Sequence, residues 1–176
     1  IAHFRQITTD VDVIYQLTAL QSMGYLRSDE KSAFLRSQQQ KGVFTLFRLF
    51  KGLDANDIGS RDLRLVVVTN ESIGIGSQAI QNPYSADIHG LAATACREYP
   101  TWKISCVDVS LTEVANDFSR AKQIAQCIEE APVGISALRG VDFFQRSLQQ
   151  VELRSESRDP YRAGGTYLIV GGSGGV

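Results

Sequence analysis

The chain has 176 residues, 43% of them hydrophobic and 21% charged, with 18 Lys and Arg against 19 Asp and Glu for a formal charge of -1. This is the composition of one globular domain with a real core. The cations are scattered rather than gathered on a stripe, which argues against nucleic acid as a partner. No apolar run approaches the roughly 20 residues that span a bilayer, and the N-terminus lacks the basic-then-apolar order of a signal peptide, so no membrane contact and a cytoplasmic location are expected.

In chain order, VDVIYQLTAL (residues 11–20) opens with alternating Val11, Val13 and Tyr15 after Asp10 and predicts a strand. Ser28 is a candidate helix cap. Phe34, Val43, Phe44, Leu46, Phe47, Phe50 and Leu53 then supply the apolar faces of a helical stretch, with Thr45, Arg48 and Lys51 forming one narrow solvated stripe. LRLVVVT (residues 63–69) is a β-branched run with little alternation, the pattern of a parallel strand with a helix on each side.

Asn82-Pro83 signals a helix start, and Ile88, Leu91, Ala92, Ala95, Cys96 and Tyr99 follow at helical spacing until Pro100. A strand over residues 104–109 precedes a helix whose stripe is Val114, Phe118, Ala121, Ala125 and Ile128, ending before Pro132. Strand and helix thus alternate, which predicts a Rossmann-like parallel sheet with right-handed crossovers. Residues 135–138 and 141–148, divided by Arg139-Gly140, predict an edge hairpin. Residues 154–162 are polar and read as a linker. GGTYLIVGGSGGV then offers a turn at Gly164-Gly165, a four-residue strand from Tyr167 to Val170 and a glycine cluster.

Three motifs carry possible chemistry. Gly171, Gly172, Ser173, Gly174 and Gly175 follow a short apolar strand, and such a turn lets backbone N–H groups approach a pyrophosphate at a helix N-terminus. A flexible glycine tail is the competing reading. Gly74-Ile75-Gly76-Ser77-Gln78-Ala79 matches a GxGxxA fingerprint with Asp108 as its acidic partner. Its spacing fits poorly, because four residues separate Thr69 from Gly74 and the helix signal comes only at Pro83. A loop in a fold without cofactor is the better reading.

Tyr99-Pro100-Thr101-Trp102-Lys103 is a YxxxK string, which a reductase would place on one helical face so that the lysine lowers the phenol's pKa. Pro100 breaks such a turn. Tyr99 is therefore expected at a helix end and Lys103 in the next strand. His3 and His89 lack partners at metal or triad spacing, and Cys96, Cys106 and Cys127 are expected to be free buried thiols. No metal site is expected.

The segments together resemble one family. NPYSADIHGLAATACREYPTWKISCVDVS (residues 82–110) is similar to the stretch of modular type I polyketide synthase ketoreductases where a small-residue helix ends in a Glu-Tyr/His-Pro corner and enters a Val-Asp-Leu strand. VDVIYQLTAL, GVFTLFRLFKGL, LRLVVVTNES, ALRGVDFFQRSLQQV and GGTYLIVGGSGGV resemble, in consistent order, the flanking elements of that domain. The Asn-Pro-Tyr-Ser opening and the Tyr-Pro-Thr-Trp corner resemble bacterial synthases whose acyltransferases act in trans.

The resemblance implies a structural subdomain over residues 1–153, a truncated short-chain-dehydrogenase-like fold without its own cofactor. A linker over 154–163 and the first strand and glycine turn of a catalytic subdomain over 164–176 would follow. The complete ketoreductase would use NADPH to reduce a β-ketoacyl group carried on an acyl carrier protein. The four catalytic Ser, Tyr, Lys and Asn positions would lie after Val176, so this segment alone is expected to be inactive and to bind no cofactor. Of the cofactor site only Gly171 to Gly175 correspond, and the closing glycine of the family motif is absent.

The family also carries strand-forming sequence before the equivalent of Val11, so Ile1 is expected to begin inside the domain. The short linker implies that no enoylreductase is inserted and that reduction stops at the hydroxyl or passes to a dehydratase. Expected partners are the catalytic subdomain, other synthase domains and, indirectly, the carrier protein. The alternative is a free-standing docking or dimerisation module within the synthase, its former interface being an apolar surface.

Overall fold

A computed structural model of the protein describes residues 11–21, 27, 29–58, 61–77, 79–113, 117–152 and 161–170. The chain divides into two compact units, Ile1–Arg146 and Ser147–Val176. The first is built on a sheet of β1 (Val13–Gln16), β2 (Leu63–Asn70), β3 (Trp102–Val109), β4 (Gly134–Arg139) and β5 (Asp142–Gln145), ordered β1-β2-β3-β4-β5. The first four strands run parallel, and β5 pairs antiparallel with β4 as the expected edge hairpin. Its turn contains Gly140 at φ 62°, a left-handed position that glycine takes without a Cβ clash.

β2 is covered on both faces, as its β-branched run predicts. Leu65 and Val67 point to one core, while Val66 and Val68 point to the other. Helix α1 (Lys31–Lys41) precedes α2 (Val43–Asp54) and fully buries only Gln38, while α2 and α3 (Ala86–Glu98) pack on the first face, where Leu46, Phe50, Leu53, Ile88, Ala92 and Ala95 bury against Leu65, Val67 and Ile104. Helix α4 (Phe118–Glu129) packs on the second face through Ile124, with Cys127 and Ile128 beside it.

The connections through α3 and α4 step in the same direction along the sheet yet lie on opposite faces. They therefore have opposite hand, and the expected right-handed rule holds for only one of them. The first face is already filled by α2 and α3, so the apolar stripe of α4 has only the surface of Val66, Val107 and Leu138 left to cover.

Several sequence expectations shift at this level. Strand β1 is confined to Val13–Gln16, because the Leu20 amide donates back to the Leu17 carbonyl in a turn. Val13 and Tyr15 are its exposed side, and Ile14 packs on the core instead, because the second-face core begins at β2. The long helical stretch is two helices broken at Gly42, where a Cβ would stand 2.9 Å from Ile88 Cδ1 and 3.0 Å from the Gln38 carbonyl. Phe44 and Phe47 are exposed rather than covered, since α2 buries only Leu46, Phe50 and Leu53 fully.

The residue before α1 is Glu30, whose carboxylate accepts from the Arg27 amide, whereas the candidate cap Ser28 lies outside the described residues. At Pro83 the chain makes a 3-10 turn over Pro83–Ser85 before α3 begins. Trp102 already belongs to β3, earlier than the expected Ile104, because its indole donates to the Ile58 carbonyl at 3.2 Å. On α4, Phe118 is 86% exposed and Ala125 faces solvent, so Ile124 is the centre of the stripe; Val114 lies outside the described residues.

In the second unit Gly164 stands at φ 73° and the Gly165 amide donates to the Arg162 carbonyl at 2.9 Å. Tyr161 and Tyr167 meet edge to face at 5.1 Å. Tyr167–Val170, expected as a strand, joins no sheet among the described residues, and Leu168 and Val170 are about as exposed as side chains become, at 92% and 89%. An apolar run becomes a strand only where a neighbour satisfies its backbone.

Candidate functional site

Parallel sheets place their chemistry at the C-terminal ends of the strands. At that end of β2 and β3 the first unit holds a connected polar cluster on the α3 side. Thr69 and Asp108 share a row of the sheet, both fully buried. One Asp108 carboxylate oxygen accepts from the Thr69 hydroxyl at 2.9 Å, the Ser72 amide at 2.9 Å and the Ser72 hydroxyl. The other accepts from the Ile73 amide at 3.3 Å and from Arg139 Nη2 at 2.8 Å. Arg139 also donates to the carbonyls of Asp108, Leu138 and Ile73.

His89, one turn into α3, brings Nε2 to 3.1 Å from Thr69 Oγ1 and 3.2 Å from Ser72 Oγ. The Thr69 hydroxyl donates to Asp108 and the Ser72 hydroxyl has Asp108 and Thr69 Oγ1 as acceptors, so the tautomer that completes this network is the one with Nε2 as donor. Burial pushes the His89 pKa below 6.5, against the opposing pull of the Asp108 and Asp87 charges, which favours the neutral ring. Ser72, His89 and Asp108 therefore do not form a nucleophilic triad, in which the base must accept the serine proton.

A second knot joins the same strand ends. Glu71 sits at φ 52°, an unusual left-handed position for a residue with a side chain. Its carboxylate accepts from Asn70 Nδ2 at 3.0 Å and from Ser110 Oγ and the Thr112 amide at 3.4 Å. Its carbonyl accepts from the Gln81 and Asn82 amides, and its own amide donates to the Val109 carbonyl. Each knot thus binds the β2–α3 loop to β3 by side chains of this chain.

The positions singled out in the sequence fall as follows. Gly171, Gly172, Ser173, Gly174 and Gly175 lie outside the described residues, as do His3 and Gln78. Gly74 and Gly76 belong to the loop after β2, with Gly76 at φ 59°, but the next helical turn starts only at Pro83. The loop glycines do not open a helix, and the Asp108 carboxylate is occupied by Arg139, Ser72 and Thr69, so the GxGxxA string does not build a dinucleotide fingerprint. Tyr99 caps α3 and stacks on Trp102 at 4.1 Å, while Lys103 lies in β3; the YxxxK string is broken as Pro100 dictates.

Cys96, Cys106 and Cys127 are free, and burial pushes the Cys106 thiol up to about 12. Among the described residues no cluster of His, Cys, Asp and Glu could hold a metal. No described helix is long and apolar enough to cross a membrane. Sequence reasoning missed the joint role of Thr69, Ser72, His89 and Arg139. The signal was Asp108, a carboxylate in an otherwise apolar strand, which demands donors from other elements.

No family model matches the chain. It is 32% identical over 138 residues to the polyketide synthase ThaG of Burkholderia thailandensis, across 78% of this chain and 2% of that protein. It is 26% identical over 138 residues to PksN and 29% identical over 139 residues to PksM, polyketide synthases of Bacillus subtilis, again across 78% and 77% of this chain. The chain spans only 2% to 3% of the length of these relatives.

Among solved structures it resembles the adenylation, ketoreductase and pseudo-Asub multidomain structure of a keto acid-selecting NRPS module. The TM-score is 0.62 at 18% identity, covering 80% of this chain and 11% of that one. By sequence the chain is similar to segments of polyketide synthases, and by fold it is a Rossmann-like α/β unit.

Proposed function

We propose that this chain is the non-catalytic structural subdomain of a polyketide synthase ketoreductase, supporting NADPH-dependent reduction of a β-ketoacyl carrier protein to the β-hydroxy product. The observation that carries the reading is the self-satisfied strand end. Where a dinucleotide-binding fold leaves backbone amides open for a pyrophosphate, Asp108 takes the Ser72 and Ile73 amides for itself. The geometry therefore supports a scaffold better than a cofactor site. The relation to polyketide synthases supports the context.

In this reading residues 1–153 form the scaffold, 154–163 the linker, and 164–176 the opening of the catalytic subdomain, with Gly171 to Gly175 at its NADPH turn. The catalytic subdomain is the direct partner, other synthase domains and the carrier protein are neighbours, and the assembly is cytoplasmic. The Asn82–Ser85 and Tyr99–Trp102 segments favour a synthase whose acyltransferase acts in trans.

Fluorescence titration of NADPH tests the reading, with the chain alone and then mixed with the downstream catalytic segment as a separate polypeptide. NADPH binding and reduction of a β-ketoacyl thioester are expected only with both pieces. Binding by residues 1–153 alone would overturn it.

A further inference from the structure

The loop after β2, helix α3 and the β4–β5 hairpin enclose a cavity of about 330 Å³, within the size range of small-molecule sites. Its apolar wall comes from four side chains on three elements: Ile73 and Ile75 of the loop, Ile135 of β4 and Phe144 of β5. His89 adds a polar edge, kept neutral by burial. Arg146, just after β5, is the one full charge in the lining, which contains no carboxylate. Among the described residues Arg146 has no ion pair.

The cavity is also preformed. Ile73 is fixed at both ends of its peptide unit, its amide held by Asp108 and its carbonyl by Arg139. An apolar enclosure with a single unpaired cation and no anion is complementary to an amphipathic monoanion and unfavourable for a cation or a dianion.

We propose that this cavity binds an aliphatic monocarboxylate of on the order of ten non-hydrogen atoms, its chain against Ile73, Ile75, Ile135 and Phe144 and its carboxylate at Arg146. The inference goes beyond the scaffold reading and does not depend on it. Neither the cofactor nor the catalytic segment enters the test.

The test is protein-observed NMR titration of the whole chain with octanoate, octanol and octylamine. Octanoate should bind saturably and shift the amides of Ile73, Ile75 and Ile135, with octanol about tenfold weaker, the discrimination of one charge-assisted contact at a half-open rim. Arg146→Gln should bring octanoate down to the octanol level, and Arg146→Glu should reverse the preference toward octylamine. Both variants alter an exposed side chain and leave the fold intact. Equal affinity for octanoate and octanol would show an unselective apolar sink and overturn the proposal, as would shifts that do not saturate.

Discussion

Asp108 and Arg139, 31 residues apart in sequence, meet in a 2.8 Å ion pair whose side chains are 0% and 12% exposed. The pair ties the end of β3 to the end of β4, and through the Ser72 amide and the Ile73 amide and carbonyl it also fixes the β2–α3 loop. Removing one partner of a buried pair leaves a desolvated charge behind, which costs more than the pair itself contributes.

Arg139→Ala should therefore destabilise the chain by about 3–5 kcal/mol, with Asp108→Asn costing less because the amide oxygen still accepts from Thr69 and Ser72. Urea unfolding followed by fluorescence of Trp102, the single tryptophan and 3% exposed, measures both. An Arg139→Ala variant as stable as its parent would contradict the clamp.

Burial of His89 lowers its pKa and thereby gives stability a pH dependence. Its pKa is lowered in the folded chain from 6.5, so the unfolded chain binds the proton more readily. The stability tied to the neutral ring is complete above pH 6.5 and is lost as pH falls through the folded value. The raised pKa of Asp87 works in the opposite sense, above 3.8. Between pH 7 and 5 the urea midpoint should fall for the parent, and His89→Gln should flatten that slope; an unchanged slope refutes the assignment.

The two glycines Gly42 and Gly90 should respond oppositely to alanine. At Gly42 the new Cβ meets Ile88 Cδ1 and the Gln38 carbonyl, so Gly42→Ala should cost about 1–3 kcal/mol by overpacking. At Gly90, within α3, nothing lies within 4 Å, and Gly90→Ala should stabilise by about 0.5–1 kcal/mol through helix propensity. Thermal melts of the two variants check the pair, and a shift in the same direction for both would be inconsistent with this packing.

Cys106 should resist alkylation. It is 1% exposed and its thiol is raised to about 12, so almost no thiolate exists at pH 8. Mass spectrometry after iodoacetamide treatment of the folded chain should find Cys106 unmodified, and modified once urea is added. Rapid labelling of Cys106 in the folded chain would mean that the first-face core opens.

The elements with strong local signals were legible in the sequence. The β-branched run at Leu63 to Thr69 needs two covered faces, Pro100 must end α3 and break Tyr99 from Lys103, and Arg139-Gly140 must turn. Periodicity and backbone sterics act over a few residues, so they are written locally.

What only the tertiary structure decided depends on contacts between distant residues. The face of β1 that is buried, the exposure of Phe44 and Phe118, and the opposite hand of the α3 and α4 connections follow from which surfaces other elements had already covered. The same holds for Asp108: its sequence position at a strand end fits a cofactor ligand or a clamp equally. The choice was made by Arg139, Ser72 and Thr69, because a buried carboxylate takes whatever donors the fold brings to it.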